Sequence, residues 1–182
     1  MSDQNPAFKA LAEVAGVSLG SAKGLPAQTD VTPHWSGIGF SCLGQRFVAT
    51  MGDITEMLEV PPSTRLPGVK PWVKGVSNVR GRLLPLIDMA EFFGGHLTSS
   101  RKQRRVLVLE DGDLFTGLLV DQVFGMQHFP VDTYEQEREG LDNNLLPFVV
   151  GSYKKNDLRW TVFNARQLAQ DANFMNVALY AS

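Results

Sequence analysis

Few side chains in this chain have the types and spacing that metal binding requires. The three histidines are His34, His96 and His128, and none has a second histidine or a cysteine two or four residues away. Paired zinc ligands on one element need such a spacing, because it directs two side chains to the same face. The phosphate-binding pattern G-x-G-x-x-G is also missing, although the chain has 17 glycines. We therefore expect no metal site and no cofactor.

The single cysteine offers the other route to catalysis. Cys42 follows Phe40 by two residues in a predicted strand, where a free cysteine usually acts as a small buried hydrophobic residue. A cysteine nucleophile also needs a base, which only a distant histidine could supply here. We expect no catalytic residue, and an enzyme that uses Cys42 stays an alternative. One cysteine cannot form an internal disulfide, which fits a reducing compartment.

The charged residues argue against a nucleic-acid partner. The chain has 17 Lys and Arg against 19 Asp and Glu, for a net charge of −2. Residues 101–105 (RKQRR) are a basic cluster, but no interleaved aromatic residues accompany it as a single-strand binding surface would require. We interpret this cluster as a solvated loop that precedes a strand.

Residues 74–88, KGVSNVRGRLLPLID, are the most informative segment. The pattern predicts a short strand, a turn at Arg80 and Gly81, and a second strand with apolar residues at consecutive positions. Such a strand is buried on both faces, so it lies between two layers. Arg80 would then project from a rigid turn. It either pairs with a nearby carboxylate or contacts a partner protein, and the two roles are compatible.

Short predicted strands separated by turns must position the residues of this segment. Alternating apolar residues predict a hairpin over 37–51 and a strand over 54–60, which a pair of prolines ends. After a proline-rich loop, a strand pair is predicted over 75–89, followed by one helical turn over 90–93. The Asp-Gly turn at residues 111–112 predicts another tight hairpin between two apolar runs.

The C-terminal part of the chain predicts one more hairpin and one helix. Apolar runs at 149–153 and 158–163 flank a polar turn, and Asn164 is a good N-cap for a helix with an apolar stripe. The stripe consists of Ala165, Leu168, Ala172, Met175 and Leu179. Many short strands with one terminal helix indicate a mainly β protein, an all-β barrel or sandwich assembly.

The length of 182 residues predicts one domain with an extension at its N-terminus. Residues 1–33 are expected to be an extension or linker with a short helix around Phe8, residues 34–170 the main domain, and residues 171–182 the end of the last helix and a tail. The polar first residues do not resemble an export signal, and no run of about 20 apolar residues would span a bilayer. We therefore expect a cytoplasmic location without direct membrane insertion.

Residues 74–88 resemble the signature of the CheW family, the adaptor proteins of bacterial chemosensory arrays. That signature reads K-G-(V/I)-x-N-x-R-G, followed by an apolar strand with an internal proline and an aspartate. Further matches occur in family order at residues 38–51, 53–58, 106–123 and 160–168. Residues 65–73, the basic stretch and residues 123–129 are similar to the PilI branch, which serves type IV pilus systems.

The resemblance implies a fold of two small five-stranded antiparallel β-barrel subdomains packed together, with a C-terminal α-helix. It also implies a non-enzymatic adaptor that couples the cytoplasmic tips of chemoreceptors to the regulatory domain of a CheA-type histidine kinase. Recruitment to membrane-bound receptor arrays and contacts with other CheW-like adaptors are implied as well. The output that the resemblance to the PilI branch implies is twitching motility. The alternatives are an adaptor of flagellar chemotaxis and, more remotely, a small-ligand β-barrel.

The resemblance also implies a receptor-binding groove when the family motifs are carried over residue by residue. The groove residues are Ile54, Glu56, Gly75, Arg80, Val123 and Met126. Ile54, Val123 and Met126 would supply an apolar surface for an amphipathic receptor helix. Gly75 would let a backbone approach closely, and the two charged residues would fix the register at the rim.

Overall fold

A computed structural model describes residues 31–180 of the chain. The short helix predicted around Phe8 lies outside these residues, as does most of the predicted linker. The described part contains eleven strands, two α-helices and three short 3-10 helices. No helix in this part is long and apolar enough to cross a bilayer.

The strands and α-helices have the following bounds. The strands are β1 (His34–Cys42), β2 (Gln45–Thr50), β3 (Ile54–Glu59), β4 (Val73–Val79), β5 (Arg82–Asp88), β6 (Arg105–Asp111), β7 (Leu114–Val120), β8 (Gln122–Pro130), β9 (Tyr134–Glu135), β10 (Val149–Lys155) and β11 (Leu158–Phe163). The α-helices are α1 (Met89–Phe92) and α2 (Ala172–Tyr180).

Six strands form the first sheet in the order β8-β1-β2-β11-β10-β9. Only the 3-10 turn Val131–Thr133 separates β8 from β9, so one chain segment pairs with β1 at one edge and with β10 at the other. The sheet is therefore closed into a barrel, which we call the first barrel. Its pairs are antiparallel except for β2 and β11, which are parallel.

Five strands form the second sheet in the order β3-β6-β7-β5-β4. The segment after β3 returns to β4, where Thr64 and Val76 each donate a backbone N–H to the other's carbonyl oxygen at 2.9 Å. The two edges of the sheet are thus joined by one segment, as in the first barrel. This second barrel also contains one parallel pair, β5 with β7.

The predicted fold class is confirmed: the chain is mainly β, with two packed subdomains and a C-terminal helix. Two details differ from the five-stranded antiparallel description. A 3-10 turn divides one segment of the first barrel into two strands, and each barrel contains one parallel pair. The parallel pairs arise because each barrel joins two hairpins that are separated in the sequence.

The strands between the barrels are buried on both faces. In β2, Phe47 faces a core shared by the two barrels, whereas the neighbouring Val48 fills the interior of the first barrel. In β5, Leu84 and Leu86 lie inside the second barrel and Ile87 lies in the shared core. The predicted position between two layers is therefore confirmed for residues 84–87, whereas Leu83, which the prediction included, is 60% exposed.

The chain crosses from one barrel to the other twice, and a buried aspartate lies at each crossing. Asp53 precedes β3, and its Oδ1 forms an ion pair with Nε of Arg166 at 2.7 Å. Asp121 precedes β8, and its Oδ1 accepts the backbone N–H groups of Thr98 and Ser99 at 2.8 and 2.7 Å. These bonds hold the crossing segments against the rest of the domain.

Strand β8 was not predicted from the residue pattern, because a β-bulge interrupts its alternation. Gly39 pairs with Gly125 while Phe40 pairs with Val123, so Phe124 is the extra residue. The side chain of Val123 consequently packs on the shared core, and the adjacent Phe124 packs on the interior of the first barrel.

The C-terminal α-helix begins later than predicted, and the prediction that Asn164 caps it was wrong. The side chain of Asn164 makes no capping hydrogen bond in the described part, and a 3-10 helix, Ala165–Gln170, follows it. The true cap of α2 is Asp171, whose Oδ1 accepts the Phe174 N–H at 2.9 Å. The chain changes direction here because Leu168 and Phe174 both pack on the shared core.

Gly75 is the residue that lets the second barrel close. Its φ of +147° is rarely adopted by L residues, and an added Cβ would lie 2.4 Å from the Thr64 carbonyl oxygen. The backbone that approaches Gly75 closely in this structure belongs to this chain, whereas the resemblance implied an approaching receptor backbone.

We predict that Gly75→Ala lowers the free energy of unfolding by at least about 2 kcal/mol, because the new methyl group must displace the closing segment. Urea denaturation monitored by tryptophan fluorescence measures this change. Gly52→Ala is the matched control, since nothing lies within 4 Å of a Cβ at that position. Equal stability losses in the two variants would contradict the closing role of Gly75.

Candidate partner-binding surface

The tip of the β4–β5 hairpin presents Arg80 on a rigid turn. Arg80 and Gly81 both have positive φ angles, 52° and 80°, which gives a tight turn matched to the twist of the strands. Oδ1 of Asn78 accepts a hydrogen bond from the Gly81 N–H at 2.9 Å, which stabilises the turn. The predicted turn at these residues is confirmed.

An ion pair connects this turn to β3. Nη2 of Arg80 donates to Oε1 of Glu56, so the structure brings together two of the six residues that the sequence assigned to the groove. The Arg80 side chain is nevertheless 75% exposed. One side of the guanidinium group therefore contacts Glu56, and the rest remains accessible to a partner.

Two apolar residues of the predicted groove lie deeper than the charged pair. Ile54 is only 8% exposed and belongs to the shared core, on which Val123 also packs. These side chains support the surface from below. A charged substitution at Ile54 would place a carboxylate in the core, so its effect on binding could not be separated from unfolding.

The exposed apolar groups of this surface are methionines. Met126 on β8, one of the predicted groove residues, is 50% exposed. Met57 on β3, which the sequence prediction did not include, is 45% exposed. Methionine side chains are flexible and polarizable, which suits a surface that must fit a partner helix.

Strands β3 and β8 hold equivalent positions in the two barrels. Each begins directly after a buried crossing aspartate, and each starts the segment that joins the two edges of its sheet. Glu56 and Met57 therefore belong to the closing segment of one barrel and Met126 to that of the other. Gly75 lies at the second barrel's closure, against Thr64.

Arg82 and Leu83 extend the hairpin surface beyond the predicted residues. The guanidinium carbon of Arg82 lies 3.7 Å from the centre of the Phe115 ring, and its Nη1 is 3.1 Å from Oε1 of Glu110. This stacking holds Arg82 against the barrel wall. The neighbouring Leu83 is 60% exposed, which is unusual for a leucine in a strand.

Cys42 lacks the properties of a nucleophile. The side chain is fully buried in the shared core. Burial, with smaller contributions from the carboxylates of Asp121 and Asp88, raises the pKa of the Cys42 thiol far above its ordinary value. A reactive thiolate requires an accessible sulfur and a lowered pKa, so the enzyme alternative finds no support at this residue.

Asp88 ends the signature segment in a buried position. Its Oδ1 accepts the Glu91 N–H at 3.0 Å and caps α1. Burial raises the pKa of Asp88 above its ordinary value, and the hydrogen bond from the Glu91 N–H opposes this rise. The charge of the Glu91 carboxylate raises the pKa further, whereas the charges of Lys74 and Arg104 lower it. The ionised form of this carboxyl group is therefore less favoured in the folded chain than in water.

Comparison with known proteins gives consistent matches. The model of the CheW-like domain matches residues 36–173. Protein PilI of Pseudomonas aeruginosa is 50% identical over 179 residues, which cover 98% of this chain and 100% of that protein. Chemotaxis protein CheW of Helicobacter pylori is 28% identical over 132 residues, or 72% of this chain and 79% of the relative.

A solved structure agrees in fold. The scaffolding protein TtCheW from Thermoanaerobacter tengcongensis superposes with a TM-score of 0.62. Its sequence is 22% identical, and the match covers 72% of this chain and 89% of that one. At this identity the likeness concerns the fold alone.

We predict that Asp88→Asn stabilises the chain more at pH 7 than at pH 4. A raised pKa means that the folded chain holds this proton more tightly than the unfolded chain, so wild-type stability is lost as the pH rises through the folded-state value. Asparagine keeps the Oδ1 acceptor for Glu91 and removes the ionisation. Thermal melts at the two pH values measure the difference.

Asp113→Asn, in the exposed β6–β7 turn, is the control for the loss of one negative charge. Two results would contradict this account of Asp88. One is a gain in melting temperature for Asp88→Asn that is the same at both pH values. The other is a gain equal to that of Asp113→Asn.

Proposed function

Because this chain belongs to the CheW-like domain family, we propose that it is a non-enzymatic adaptor of a bacterial chemosensory array. In this role it couples the cytoplasmic tips of chemoreceptors to a CheA-type histidine kinase. The observation that carries the proposal is the ion pair between Glu56 of β3 and Arg80 of the rigid turn, which leaves most of the Arg80 side chain exposed. The chain acts in the cytoplasm and is recruited to membrane-bound receptors through these contacts.

The receptor tip binds the surface formed by the two closing strands. A receptor tip is an amphipathic helical hairpin, and such a partner needs apolar contacts flanked by charges that set its register. Met57 and Met126 provide the apolar contacts, and the exposed part of Arg80 provides a bidentate donor for a receptor carboxylate. Glu56 holds Arg80 in position before the receptor arrives, which lowers the entropic cost of binding.

The kinase binds through its regulatory domain, which in this family has the same two-barrel fold. Two such domains pack barrel against barrel, and we assign the receptor tip to a separate surface around Arg80. One chain can therefore contact both partners at once, which is what an adaptor requires. Other CheW-like adaptors of the array can bind through the same barrel surfaces, either in competition with this chain or in further contacts with it.

The output of the array is type IV pilus twitching motility. The 50% identity to Protein PilI over nearly the whole chain supports this assignment, whereas the CheW relative from Helicobacter pylori is 28% identical over 72% of the chain. A flagellar chemotaxis system is the second candidate, and motility assays on a deletion strain distinguish them. Loss of twitching with normal swimming supports the pilus assignment.

We predict that Arg80→Ala weakens binding of a receptor-tip fragment at least tenfold, because it removes the charged contact at the rim. The free energy of unfolding should change by no more than about 1 kcal/mol, since an exposed ion pair contributes little to stability. Isothermal titration calorimetry measures the first quantity and urea denaturation the second.

Arg138→Ala is the matched control, because Arg138 is an exposed arginine in the loop after β9. The variant Met126→Gln tests the apolar contribution in the same assay and should also weaken binding. Unchanged receptor affinity in Arg80→Ala would contradict the proposed surface, and unfolding of Arg80→Ala would assign Arg80 a purely structural role.

A further inference from the structure

A cavity of about 670 Å³ opens at one end of the second barrel. Its apolar wall is formed by side chains at the ends of the strands and in the loop before β6, namely Val60, Leu86, Leu97 and Leu119. Its rim is charged and includes Arg65, Lys74, Arg101 and Arg104, with Asp88, Glu91, Ser63 and His96. A volume of this size is typical of sites for small molecules.

Positive charge is in excess around the cavity, with four lysine or arginine side chains against two carboxylates. Nζ of Lys74 is 2.5 Å from Oε1 of Glu91, so this pair is neutral in sum. Within residues 31–180, Arg65, Arg101 and Arg104 have no carboxylate at ion-pair distance. Besides the Lys74–Glu91 pair, three arginines stand against the single carboxyl group of Asp88, and this excess of positive charge at one opening favours an anionic ligand.

The loop that carries two of these arginines is held in place. Oδ1 of Asp121 accepts the backbone N–H groups of Thr98 and Ser99, and Oγ of Ser99 donates to the Asp121 carbonyl oxygen at 3.0 Å. Nε of Arg104 then donates to the Ser99 carbonyl oxygen at 3.2 Å, which orients its guanidinium group. Residues 101–103 form an exposed turn before β6, in line with the sequence interpretation as a solvated loop, and two residues of the cluster, Arg101 and Arg104, line the cavity.

The lining separates into two chemically distinct parts. Guanidinium groups match the geometry of phosphate oxygens and bind them in a bidentate manner. Leu97 and Leu119 offer an apolar surface for a flat organic group, and the Asp88 carboxyl group can accept a hydrogen bond from a hydroxyl or amino group. We propose that this cavity binds a phosphorylated small molecule of nucleotide size, with its phosphate on the arginines and its organic part against the leucines.

The test is isothermal titration calorimetry of the full chain with AMP and UMP, and with adenosine, uridine and inorganic phosphate as partial ligands. We expect at least one nucleotide to bind with a dissociation constant below about 1 mM, and its nucleoside and inorganic phosphate to bind at least tenfold more weakly. The proposal would be overturned if neither nucleotide bound at concentrations up to about 5 mM. Equal affinity for a nucleotide and for inorganic phosphate would also overturn it.

Variants locate the site. The double variant Arg101→Gln with Arg104→Gln should weaken nucleotide binding at least tenfold, and Arg65→Gln should weaken it as well. Arg138→Gln removes the same charge away from the cavity and should leave the affinity unchanged. Equal losses in the control and in the cavity variants would overturn the assignment to this cavity, because they would show a non-specific charge effect.

Discussion

The apolar core shared by the two barrels is the interaction on which the rest of this structure depends. Strands of both barrels direct one set of side chains into it and the alternate set into their own barrel, as Phe47 and Val48 do in β2. Neither barrel can therefore be removed without exposing a large apolar face of the other. The two buried aspartates fix the chain where it passes across this core, since Asp53 is bound by Arg166 and Asp121 holds the loop before β6.

Closure of each barrel follows from the same constraint and positions the proposed partner surface. That surface uses the segments that close each sheet, β3 with the residues after it and β8 with β9. The exposed methionines lie on β3 and β8, each hydrogen-bonded to a neighbouring strand, and Arg80 lies on the tight turn between β4 and β5. A binding surface on such elements is preorganised, and its side chains can adapt without movement of the fold.

Local sequence patterns predicted much of this architecture, and long-range pairing accounts for the rest. The hairpins were predictable, because turns such as Arg80-Gly81 and the alternating residues beside them specify their own geometry. Strand β8 was hidden by the bulge at Phe124, and the break at Asp171 was hidden because both halves of the predicted helix contact the same core. The burial of Ile54 depends on the other barrel. No local pattern indicates the contact between Glu56 and Arg80, which only the family resemblance placed on one surface.

The most direct test of the adaptor account is size-exclusion chromatography with light scattering on three purified components. These are the full chain, a receptor-tip fragment and the regulatory domain of the CheA-type kinase from the same organism. The account predicts a complex that contains all three, and no complex of the receptor fragment with the kinase domain when the chain is omitted. Separate elution of the chain from both partners at tens of micromolar would contradict it, as would an identical receptor–kinase complex without the chain.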